Sequence, residues 1–264
     1  MKLKGKLLKM FAEMGEPIQY YLTIGADIVD MNALIGRQIS MTHLSNSCLG
    51  CGLDKPLYQF GYCQSCFFTL PQAAPSIINP ELSTAHLGKE QRNLEWEKKF
   101  ELQPHVVYLA NSGGLKVGVT RKSQIPTRFI DQGASQVLVI AETTNRYEAG
   151  VIEVELKKHF ADKTNWRSML SNVGEISDLY AVKERVYDEH ADVFPEAFRR
   201  KTELLEFHYP VAEYPQKLQY AKFNGREPLT GELDGIRGQY LYLDKNRVFN
   251  VRSHQGLVVD MHVH

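Results

Sequence analysis

The sequence predicts an α+β protein: a small mixed β-sheet flanked by helices, a four-cysteine zinc knuckle, and a terminal β-rich, barrel-like domain. Three observations predict it. Between residues 105 and 160, the β-type runs VVYLA, LKVGVT and VLVIAET are interleaved with helix-type stretches. All four cysteines fall in one short window as two CxxC pairs. Both ends of the chain carry short strand-like runs separated by polar and turn residues.

Residues 1–47 read as an N-terminal β segment, with IQYYLTIG and LIGRQISMTHL as its strands. Residues 48–70 hold the pairs Cys48–Cys51 and Cys63–Cys66. Each CxxC forms a tight knuckle that turns both sulfurs toward one centre, and Gly52 and Gly61 supply the turns. Four cysteines leave no open position on the ion, so the expected zinc is structural. A disulfide pairing is the competing reading, and the lack of a recognisable secretory leader weighs against it. A redox CxxC is disfavoured because no βαβ pattern surrounds it. The knuckle would present Lys55, Tyr58, Phe60 or Phe67 to a partner.

Residues 71–104 read as a linker, PQAAPSIINPELS, and then a charged helix in GKEQRNLEWEKKFE. Over 105–171 the order is strand, strand, helix, strand, helix. NSGG turns the first hairpin, QIPTRFIDQGA begins as a turn and becomes helical, and RYEAGVIEVELKKHFAD has an apolar side. Residues 172–206 form a helical extension, and 207–264 return to strands in LQYAKFNG, GQYLYLD, RVFNVRS and GLVVDMHVH. The ends echo each other: IQYYLTIG with LQYAKFNG, and LIGRQISMT with IRGQYLYLD. The echo reads either as two strand-turn-strand units of like composition or as a duplicated unit whose copies join in one barrel.

Net charge is zero, which argues against a protein that binds nucleic acid over its whole surface. Charge is uneven, however: Lys and Arg outnumber Asp and Glu nine to six over 105–171, and the balance reverses to five against nine over 172–206. Polyanion contact is therefore expected within 105–171. No run of about 20 apolar residues is present, so no membrane association is expected, and the cytoplasm is the expected location.

The chemistry concentrates in 105–171. Tyr108 and Lys116 straddle the hairpin and can share a sheet face; Arg128 and Glu153 lie on the two helices that follow. A phenol, an ammonium, a guanidinium and a carboxylate suit metal-assisted phosphodiester hydrolysis. The phenolate or a water it activates attacks, Lys116 lowers the relevant pKa, Arg128 holds the phosphate, and Glu153 holds Mg²⁺ or Mn²⁺. Arg121, Lys122 and Arg146 are candidates for positioning nucleic-acid phosphates, and His105 and His159 for joining the site. Each has a plainer reading: an amphipathic strand tyrosine, a snorkelling lysine, an Arg128–Asp131 pair, and a solvated helix face at Glu153 and Glu155. Asp162–Trp166 reads as a helix cap followed by a packed indole.

HVVYLA followed by LKVGVT resembles the paired motifs of the GIY-YIG nuclease superfamily, in the branch with a KIG-type second motif. TRF at 127–129 and IEVELKKHF at 152–160 continue the resemblance over about 60 residues, making 105–171 a GIY-YIG-like core. The resemblance implies a divalent-metal-dependent endonuclease with Tyr108, Lys116 and Arg128 catalytic and Glu153 on the metal. Over most of its length the chain is also similar to an uncharacterised bacterial family with a four-cysteine knuckle before such a core, through GYCQSCF, KVGVTR, RFIDQGA and DKTNWR. That family's further cysteines between knuckle and core are absent here, and His86 alone would not bind metal. The expected partner is DNA or RNA, with protein partners unknown. The competing functions are a non-catalytic nucleic-acid or ribonucleoprotein binding module and a protein-interaction scaffold.

Overall fold

The computed structural model describes every residue except 161–164, 175, 191, 195–196 and 200. The protein is α+β, and it divides into two compact units: Met1–Phe68 with His208–His264, and Thr69–Phe207. The first unit begins with β1 (Lys2–Lys6), β2 (Phe11–Glu13), β3 (Gln19–Ile24), β4 (Asp27–Asp30) and β5 (Gln38–Asn46). The knuckle follows, with β6 (Leu57–Gln59), β7 (Tyr62–Cys63) and helix α1 (Gln64–Thr69). The second unit holds α2 (Pro75–Ile78), α3 (Leu94–Glu101), β8 (His105–Asn111), β9 (Leu115–Arg121), α4 (Thr127–Asp131) and β10 (Gln136–Thr143). It continues through α5 (Arg146–Leu156), α6 (Trp166–Leu170), α7 (Leu179–His190) and β11 (Leu204–Glu206). The chain then returns to the first unit as β12 (Gln219–Tyr220), β13 (Leu229–Arg237), β14 (Tyr240–Leu243), β15 (Arg247–Asn250) and β16 (Leu257–Val263).

In the first unit the two ends of the chain build one seven-stranded sheet in the order β1-β16-β5-β13-β14-β15-β12. Its pairings are antiparallel except β12 with β15. The sheet stays open, with β1 and β12 at its edges, so the barrel-like, β-rich expectation is met by a β-rich unit without closure. A separate three-stranded sheet, β2-β3-β4, buries Tyr20, Leu22 and Ile24 at every second residue of β3. The echoing segments are not equivalent in space. IQYYLTIG supplies the central strand of this small sheet, while LQYAKFNG supplies only the edge strand β12. Strand β13 was not expected, because Gly231, Asp234 and Gly235 break the alternation that marks a strand.

The second unit is built on a four-stranded sheet, β11-β10-β8-β9, antiparallel at every pairing rather than mixed. Every residue of β8 is buried. One face, through Val107, Leu109, Val117 and Leu138, packs on Ala149, Ile152 and Leu156 of α5 and on α7. The other face carries Tyr108, whose ring meets Phe129 of α4 edge-on at 4.7 Å. Covering both faces removes about 25 cal/mol of unfavourable hydration per Å² of apolar surface, which is what holds this thin sheet together.

The segment expected to be a linker is a packed element. Ala73, Ala74, Ser76, Pro80, Ser83 and Ala85 are all buried. Its Pro80–Glu81 backbone lies directly on α5 at Gly150, where a β-carbon would stand 2.3 Å from the Glu81 nitrogen. Small residues on both sides permit this approach, and their low hydrophobicity is why the segment reads as a linker in sequence.

Candidate functional site

Register decides which side chains meet. Tyr108 stands opposite Gly118, and Ala110 opposite Lys116, so Tyr108 and Lys116 lie diagonally on one sheet face. Gly118 leaves room for the phenol: a β-carbon there would sit 2.7 Å from the Tyr108 hydroxyl. The phenol donates to Gln132 Oε1 at 2.6 Å, and Lys116 Nζ donates to the same oxygen at 2.8 Å. Gln132 follows α4 directly. It was missed in the sequence, where a lone glutamine after a short helix carries no chemical signature. Arg128, on α4, also acts on the phenol through its charge and N–H groups.

Tyr108 has no solvent exposure, and burial pushes its pKa up to about 12. Arg128 and Gln132 favour the phenolate, and Glu153 opposes it, but burial wins. The phenol is therefore protonated at neutral pH, its neighbours' pull toward the phenolate being outweighed by burial.

Glu153 comes from α5, whose apolar stripe covers the opposite sheet face, and it reaches this group through its charge. It is 7% exposed, with Oε2 buried and without a hydrogen-bond partner. Lys157 Nζ lies 3.3 Å away as an ion pair one turn along. Burial raises the Glu153 pKa, with a further push from Glu81; Lys157 and Arg146 pull it down. Glu81 also has a buried, unpartnered carboxylate oxygen. Thus Tyr108 and Lys116 meet on Gln132 with Arg128 acting on the phenol, and Glu81 and Glu153, each with a buried carboxylate oxygen, stand near one another.

The three phosphate-positioning candidates do not form an exposed patch. Arg146 is buried; its Nε and Nη2 donate to the carbonyls of Ser76 and Ile77 at 2.8 Å each, and burial lowers its pKa to about 10. It anchors the 75–78 segment instead of meeting solvent. Arg121 stacks on Phe100 at 4.2 Å. Lys122 is exposed and pairs with Glu142 at 2.8 Å. His105 is wholly buried, with Nδ1 2.7 Å from the Gln103 carbonyl, and burial brings its pKa down to about 4. Asn165 caps α6, where Arg167 covers the Trp166 ring at 4.2 Å; Asp162, expected to cap a helix there, lies outside the described residues.

In the other unit, one ligand atom from each of Cys48, Cys51, Cys63 and Cys66 lies within 4.8 Å of the rest, so the four can hold a metal ion. The backbone N–H groups of Gly50 and Cys63 donate to Cys48 Sγ at 3.3 and 3.2 Å, as a knuckle turn requires. Burial opposes ionisation of Cys48, yet backbone N–H groups of Cys63, Cys51 and Gly50 hold it at about 6. Burial, then the other thiols, pushes Cys66 up to about 12. Four crowded thiols that cannot all ionise together are a donor set that a dication completes. Beside them, Tyr58, Phe60 and Phe68 are exposed and make ring contacts with Phe67.

A family profile described as a protein of unknown function, DUF2797, matches residues 36–259. The chain belongs to the DUF2797 family. The matched stretch takes in both the cysteine cluster and the Tyr108–Lys116 hairpin, so both are features of a DUF2797 chain. Comparison with curated proteins and with solved structures finds no match. Among the described residues, no helix is long and apolar enough to cross a membrane.

Proposed function

We propose that the second unit is a GIY-YIG-like, divalent-metal-dependent phosphodiesterase acting on DNA or RNA. The observation that carries this reading is the meeting of Tyr108 and Lys116 on Gln132 Oε1, with Arg128 beside the phenol. Glu153, a buried carboxylate whose Oε2 is held, among the described residues, only by the Lys157 ion pair at 3.3 Å, is the residue to hold Mg²⁺ or Mn²⁺, which supplies Lewis acidity toward a phosphate. Arg128 neutralises phosphate charge. Lys116 and the protonated Tyr108 orient the reacting group as hydrogen-bond donors, so water rather than the phenolate is the nucleophile. In the first unit, the four cysteines hold a structural zinc. Reduced thiolate ligation of this kind suits the cytoplasm.

The test is cleavage of DNA and RNA by the full chain with Mg²⁺ or Mn²⁺, comparing the parent with Glu153→Ala. Cleavage that Glu153→Ala leaves unchanged rejects the site. A second reading, a nucleic-acid or ribonucleoprotein binding module without catalysis, is favoured by the complete burial of Tyr108. Binding of single-stranded or duplex nucleic acid without cleavage under any cation would select it.

A further inference from the structure

Away from the Tyr108 cluster, the second unit holds another set of metal-ligating groups. His159 lies just beyond the end of α5, and Glu189 and His190 close α7. One ligand atom from each lies within 4.8 Å of the others. His190 is 8% exposed, and its Nε2 is buried with no hydrogen-bond partner among the described residues. That nitrogen stands 3.8 Å from Glu189 Oε2, too far for a hydrogen bond. The imidazole of His159 faces that of His190, ring centres 5.8 Å apart.

We infer that His159, Glu189 and His190 form a transition-metal site that ties the C-terminal end of α5 to that of α7. Two ligand atoms each about 2.1 Å from one ion stand about 3.4 Å apart at a tetrahedral angle. The observed 3.8 Å between Glu189 and His190 needs only a small side-chain shift to meet this. A buried ring nitrogen with no hydrogen-bond partner is the feature that an ordinary His–Glu surface pair lacks: such a pair closes into a hydrogen bond, whereas here the two atoms stand 3.8 Å apart. Two imidazoles with one carboxylate select Zn²⁺, Co²⁺ or Ni²⁺ over Mg²⁺ or Ca²⁺, which prefer all-oxygen shells.

Co²⁺ distinguishes this site from the cysteine cluster. The full chain is loaded with one equivalent of Zn²⁺ to fill the cysteines and then titrated with Co²⁺. The expected result is one further equivalent bound, with visible d–d bands and no added thiolate-to-metal absorption. His159→Ala and Glu189→Gln, both exposed positions, are each expected to weaken this second equivalent at least tenfold while leaving the first and the circular dichroism spectrum unchanged. A parent that binds no second equivalent overturns the inference. So does a second equivalent that survives both substitutions, or one whose absorption is thiolate in character.

Discussion

Tyr108 and Lys116 share one acceptor, donating to Gln132 Oε1 from 2.6 and 2.8 Å. A hydroxyl and an ammonium side by side would repel or leave polar hydrogens unsatisfied in a buried place. A single carbonyl oxygen with two lone pairs accepts from both. Gln132→Leu removes that acceptor and is expected to lower unfolding free energy by about 2 kcal/mol in urea titration. A change below about 0.5 kcal/mol would show that the shared oxygen contributes nothing to stability.

Glu153 is expected to cost stability while serving function. Its pKa is raised above the ordinary 4.5, chiefly by burial. A raised carboxylate pKa contributes stability that is present below the unfolded value and is lost as pH rises through the folded value. At pH 7, Glu153→Gln should therefore melt no lower than the parent while losing any Mn²⁺-dependent cleavage. A lower melting temperature would mean that the Lys157 ion pair outweighs desolvation.

Two glycines test the packing that shapes the site. Gly150→Ala drives a methyl against the Pro80–Glu81 backbone, which cannot swing aside, and is expected to cost about 3 kcal/mol. Gly118→Ala meets the Tyr108 ring, a side chain that can tilt, and should cost about 1–2 kcal/mol. Chemical denaturation of both variants checks the order, and the reverse order contradicts the packing described.

His105 should make the fold acid-sensitive. Burial holds its pKa at about 4 against an ordinary 6.5. The stability from keeping it neutral is full above 6.5 and falls away as pH drops toward 4, by about 3 kcal/mol at most. Urea midpoints followed from pH 7 to pH 4 should fall more steeply for the parent than for His105→Asn. Parallel slopes would assign the acid sensitivity elsewhere.

Elemental analysis of the His159→Ala chain, which lacks the proposed second site, should find about one zinc per molecule when purified without added metal, and Cys63→Ser is tested in that background. Cys63→Ser, which removes a buried ligand, should lose it and lower the melting temperature of the first unit. Retention of zinc by that variant would place the ion outside the cysteines.

The α+β class, the β8–β9 hairpin, helix α5 and the four-cysteine cluster were legible because each depends on spacing within a short stretch of chain. Alternation puts Tyr108 and Lys116 on a common face once the turn is set, and two CxxC knuckles converge whatever surrounds them. Arg146 misled for a related reason. A basic residue at the start of a helix reads as a solvent-facing charge, and only the approach of residues 76 and 77, far away in sequence, gives its guanidinium two carbonyls and takes it inside.

The sequence by itself determined the local chemistry: which strands alternate, where sulfurs cluster, and that a phenol, an ammonium, a guanidinium and a carboxylate fall within one short region. Tertiary structure alone decided that β1 and β16 pair, that β13 is a strand despite its glycines, and that Gln132 receives both Tyr108 and Lys116. It alone set His159 beside His190. The physical reason is range. Strand alternation and knuckle turns follow from backbone geometry over a few residues. Long-range neighbours depend on how closely two backbones can approach, and that is set by partners such as Gly150 and Glu81, which no local pattern joins.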